Sequence, residues 1–170
     1  MIDPIRLSEI RDGDRIDVTA DEKERAAIAD RLGLEALEHF SAHAVLHRDG
    51  EAVSAEGRVK ADAVQACVAT GEPVPEHVDE AFAIRFIPAP IEGGEEEVEL
   101  DEGEMDVVFH DGARIELGDA LVDTLSLSLE PYPRSPNADA ELKRAGVLSE
   151  EEAGPFGALS ALKKKTDDQP

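Results

Sequence analysis

From Val53 onward the chain alternates: Val53, Ala55, Gly57, Val59 and Ala61 are interleaved with Ser54, Glu56, Arg58 and Lys60. A period of two places the first set on one side of an extended chain and the second on the other, so a half-buried β-strand is predicted. Val78, Glu80, Phe82, Ile84 and Phe86 mark another strand, ending at Pro88 and Pro90. The stretch from Leu34 to His47 reads as helix or strand. Its Phe40, Ala42, Ala44 and Leu46 favour a strand, closed by a hairpin turn at Arg48-Asp49-Gly50-Glu51. Val107 to Phe109 and Arg114 to Leu117 flank His110-Asp111-Gly112-Ala113 and are expected to form a short hairpin.

Two helices complete the pattern. Thr19-Ala20-Asp21-Glu22 fits a capping box ahead of a helix over about residues 21–32, which Gly33 stops. Leu121, Val122, Leu125 and Leu129 have helical spacing before Pro131 and Pro133. The expected fold is an α+β domain over residues 1–133, an antiparallel sheet of about four to six strands covered by two main helices. Residues 134–170 are expected to form a linker and helical tail.

Charge narrows the choice of partner. The chain has 17 Lys+Arg against 40 Asp+Glu, a formal net charge of −23. Each phosphate contact needs a cation, so broad nucleic-acid binding is disfavoured, and attachment to a membrane through a polybasic face fails for the same reason. No stretch approaches the roughly 20 apolar residues of a membrane span, and MIDPIRLSEI has no signal-peptide core, so a cytoplasmic location is expected. The densest charge lies in Ile91–Asp106, with nine acids and no base, read as a flexible solvated loop. Its Glu95, Glu96, Glu97, Glu99, Asp101 and Glu102 are candidate contacts for a basic partner. Near the C-terminus, Pro155, Phe156, Leu159 and Leu162 precede Lys163-Lys164-Lys165 and predict an amphipathic helix, which could fold back on the domain or dock on a partner.

Catalytic signatures are weak. His39, His43 and His47 would sit about 6 Å apart on a helix and could share a metal. On a strand the spacing becomes about 13 Å, so exposed histidines are expected instead. Cys67 lies in an apolar stretch without a Lys, Arg or His neighbour and is read as a small buried hydrophobe, since a lowered thiol pKa calls for such cations or a helix N-terminus. No GxSxG, HExxH, Walker-type or GxGxxG string occurs, so no enzyme, catalytic residue, metal or cofactor is predicted.

Several strings carry a resemblance. Gly57-Arg58-Val59-Lys60-Ala61, then Val64 to Val74 with Gln65, Cys67, Glu72 and Pro73, then Val78 to Phe86 with Phe82 and Phe86, resemble the central signature of the YceD-like family of bacterial large-ribosomal-RNA accumulation proteins. Ile115-Glu116-Leu117-Gly118, Leu125 to Pro133, and Pro155-Phe156 with Leu159 to Lys163 extend it, and ADEKERAAIADRLGL resembles the helix of the alphaproteobacterial branch. The resemblance implies a small non-enzymatic cytosolic protein needed for normal large-subunit ribosomal RNA levels. Many relatives carry a second cysteine close to the first and a later pair. Here Thr70 and Glu72 follow Cys67 and the later pair is absent, so a metal role is not carried over.

Charge and resemblance together predict a ribosome-biogenesis accessory protein that binds a basic ribosomal protein or pre-ribosomal particle. The alternative is direct binding of ribosomal RNA through a local patch of Arg48, Arg58, Lys60 and Arg85 on the sheet.

Overall fold

The computed structural model describes residues 3–90 and 106–147. The chain divides into two compact units, one of residues 1–65 with 75–131, the other of Ala66–Val74 with the chain from Tyr132 onward.

A five-stranded sheet runs in the order β2-β3-β4-β5-β6, from Asp14–Thr19, Ala36–Asp49, Ala52–Ala66, Pro73–Pro88 and Asp106–His110. A separate two-stranded sheet pairs β1, Ile5–Arg6, with β7, Arg114–Ile115. Helix α1 spans Glu22–Leu32, α2 spans Leu117–Ser128, and α3 spans Ala138–Arg144 in the second unit.

The alternation read from the sequence sets which face is buried. Phe40, Ala42, Ala44 and Leu46 on β3 share a buried face with Val53, Ala55, Val59 and Ala61 on β4. Val18 from β2 and Phe82, Ile84 and Phe86 from β5 are buried in the same cluster, with Leu117, Leu121 and Leu125 of α2. A β-bulge between Leu37 and His39 changes the phase of β3, which is how both Leu37 and Phe40 are buried.

Helix α1 starts two residues later than its sequence-level cap. Asp21, not Thr19, accepts the Glu24 N–H at 2.8 Å, and the Glu24 carboxylate accepts the Asp21 N–H at 3.0 Å. Thr19 is instead the last residue of β2, paired with Ser41. At the other end Gly33 has φ 68°, a left-handed conformation that closes the helix without a Cβ clash. Arg31 bridges to Asp119 at 2.9 Å and Asp123 at 2.8 Å, linking α1 to α2.

Two expectations are corrected. The sheet is mixed: β6 runs parallel to β5, with Phe86 opposite Val108. The hairpin expected around His110–Ala113 does not form, because β6 joins β5 while β7 pairs antiparallel with β1. The turn is held another way. The buried His110 accepts the Gly112 N–H at Nδ1 and donates from Nε2 to the Glu51 carbonyl at 2.9 Å, and the Asp111 carboxylate accepts the Ala113 N–H. Those backbone donors hold the Asp111 carboxyl below its ordinary range. The acidic residues 91–105 and the Phe156 helix lie outside the described residues.

Candidate functional site

The sheet face opposite the core carries the polar side chains of the alternating strands. There His43 pairs with Asp17 at 2.7 Å and His77 with Asp62 at 2.7 Å, while His47 meets Asp12 at 3.1 Å. His39 contacts the Ser41 hydroxyl at 2.9 Å. The histidines of β3 are thus spread along a strand, each with its own partner. Among the described residues no group of three or more His, Cys, Asp or Glu could hold a metal ion.

The four cations proposed as an RNA contact are not equivalent. Arg58 and Lys60 share this face and converge on Asp79, at 2.8 and 3.3 Å. The Arg58 and Lys60 hydrogen bonds hold the Asp79 carboxyl below its ordinary value. Arg48 sits opposite Val53 on the core-side face. Its guanidinium donates to the carbonyls of Leu7 at 2.6 Å and Gly50 at 3.0 Å, so it ties the segment before β2 to the β3–β4 turn. Arg85 lies beside Val107 on the same face as Asp79, about 20 Å along the strand from it. The structure brings Arg58 and Lys60 together and keeps Arg48 and Arg85 apart from them.

Most residues of the resemblance have packing roles. Ala61, Phe86 and Leu117 are fully buried, Phe82 nearly so, and Gly118 lies in the first turn of α2. Gln65 donates to Glu76 at 2.7 Å and to the Glu130 carbonyl at 3.1 Å. Pro73 opens β5. Gly57 is required by a close approach of β3, where the His43 carbonyl occupies the space of a side chain.

In the second unit Cys67 and Glu72 form a hydrogen-bonded cluster with Ser135. The Cys67 N–H donates to the Glu72 carbonyl and the Gly71 N–H to the Cys67 carbonyl, each at 2.8 Å. The Ser135 N–H donates to Cys67 Sγ at 3.2 Å. Cys67 is buried, as the sequence suggested, yet its thiol is pulled from an ordinary 9.0 to about 6, first by the Ser135 N–H and then by the Thr70 hydroxyl. Neutral donors aimed at sulfur therefore do what the sequence pattern reserved for cations. The Glu72 carboxyl is likewise lowered, by Ser135, Asn137 and Thr70 side chains.

This yields a direct prediction. Thiolate ultraviolet absorbance should titrate with a midpoint near pH 6 and vanish in Cys67→Ser. Because the folded pKa is depressed, the unfolded chain binds more protons between pH 9.0 and about 6. The cluster's contribution to stability is then complete above pH 9.0 and is lost as pH falls through about 6. A titration midpoint above pH 8 would refute the donor arrangement.

Fold and site define an α+β protein in which most motif positions are packed into the structure and no described group of three or more His, Cys, Asp or Glu could hold a metal ion. The chain belongs to the family described as large ribosomal RNA subunit accumulation protein YceD, whose model matches residues 55–164. That description assigns it to accumulation of large-subunit ribosomal RNA, and the family is not a known enzyme family. No curated protein and no solved structure matches the chain. No helix among the described residues is long and apolar enough to cross a membrane.

Proposed function

We propose that this chain supports large-subunit ribosomal RNA accumulation in the cytoplasm as a non-enzymatic factor that binds a basic ribosomal protein or pre-ribosomal particle. The observation that carries this reading is the state of the cations. Arg6, Arg31, Arg58, Lys60, Arg114, Arg134 and Arg144 each lie within ion-pair distance of a carboxylate of the same chain, and Arg25 and Arg48 bond backbone carbonyls. With a net charge of −23, carboxylates far outnumber the cations left to meet a phosphate, which among the described residues are Arg11, Arg15, Lys23, Arg85 and Lys143.

Glu95, Glu96, Glu97, Glu99, Asp101 and Glu102 would draw in the partner's Lys and Arg, and Pro155, Phe156, Leu159 and Leu162 would add an apolar contact. Crosslinking and affinity capture from growing cells should recover large-subunit proteins ahead of RNA. Recovery of RNA that survives removal of the proteins would favour direct RNA binding instead.

The charge can be tested separately. Amide substitutions keep the number of residues between β5 and β6, so that charge alone changes. Replacing Glu92, Glu95, Glu96, Glu97, Glu99, Asp101, Glu102 and Glu104 by their amides should slow association about tenfold at low ionic strength and flatten its salt dependence. Equal rates at low and high salt in both proteins would remove this segment from the mechanism.

A further inference from the structure

We propose that the groove between α1 and the start of β3 docks a lysine- or arginine-rich segment of a protein partner. The proposal rests on the reading that the partner is basic, and it assigns the contact to residues ahead of the segment the family model matches, 55–164. The groove has a volume of about 420 Å³ and is lined by Ala26 and Ala29 of α1 and by Leu34, Ala36 and Leu37 at the start of β3. Alanines at these positions leave the space that larger side chains would fill. Glu22, Asp30 and Glu35 stand around it, all exposed.

Charge complementarity selects the occupant. Glu22, Asp30 and Glu35 have no ion pair to a described residue. The one cation lining the groove, Arg25, donates to the Ala20 carbonyl at 3.1 Å. Arg31, also on α1, is committed to Asp119 and Asp123. An apolar floor under unneutralised carboxylates suits side chains with a long aliphatic stem and a cationic head, the stem lying on the alanines and the head meeting the acids. A polyphosphate chain would meet the wrong charge, and an all-apolar peptide would leave the acids facing it.

The test uses the full chain and a fluorescein-labelled peptide of alternating lysine and alanine, read by anisotropy at physiological salt. Glu22→Gln/Asp30→Asn/Glu35→Gln should bind about tenfold more weakly, the loss expected of three exposed ion pairs. A control of equal net charge, Glu51→Gln/Glu56→Gln/Glu80→Gln, should change affinity less than about twofold. Ala26→Leu keeps every charge and a good helix former, and it should also weaken binding several-fold by filling the floor. Equal losses in the two triple variants, or unchanged binding by Ala26→Leu, would overturn the groove while leaving a basic partner intact. Failure of the wild-type chain to bind the peptide would overturn both readings.

Discussion

Gly57→Ala is expected to cost more than about 3 kcal/mol of folding stability, a large fraction of the roughly 5–15 kcal/mol that holds a domain folded. A β-carbon at position 57 would lie 1.8 Å from the His43 carbonyl oxygen and 2.8 Å from the carbonyl carbon. Both atoms are backbone, so rotating a side chain gives no relief. The position lies within β4 opposite Ala44, between buried Ala55 and Val59. Separating the strands there breaks ladder hydrogen bonds in the middle of the sheet, the usual reason for glycine inside a strand. Gly33→Ala is the internal comparison. It has open space around it and only the left-handed φ of 68° against it, so its cost should be about 1–2 kcal/mol. Urea melts of the two variants decide the matter, and a Gly57→Ala loss no larger than that of Gly33→Ala would contradict the close approach.

Alternation alone makes the centre of the fold legible in the sequence. β4 and β5 follow their period of two, and the same pattern places Arg58 and Lys60 on the solvent face. Continued along β3, it also puts Arg48 on the side of Leu46, away from Arg58, so the four-cation patch conflicts with the period of its own strands. The parallel pairing of β5 with β6 is not legible, since a five-residue strand carries no mark of its partner and the choice depends on the path of the intervening chain. β1 and β7 are two residues each and exist only through one another. The Cys67 cluster leaves no local trace because the donor, the Ser135 N–H, is backbone and 68 residues away in sequence. The groove is half visible: Glu22, Ala26, Ala29 and Asp30 share one helical face by spacing, but only the packing of α1 on β3 adds Glu35.

Phe86→Ala should remove about 3–5 kcal/mol, measured as a fall in the urea midpoint with an unchanged slope. The chain has five Phe, one Tyr and no Trp, so its core is built mainly from small aliphatic side chains and each buried ring fills a large share of it. Phe86 is fully buried and pairs with Val108, joining the parallel strand β6 to the rest of the sheet. Neighbours of fixed position cannot close over the space a ring leaves, so the cavity adds to the lost transfer free energy. Arg85→Ala, one residue earlier on the exposed face, should change stability by less than about 0.5 kcal/mol. Phe86→Leu should recover more than half of the loss, because most of the apolar volume is kept. If Phe86→Ala cost under about 1 kcal/mol, β6 would have to be held by something other than its packing on β5.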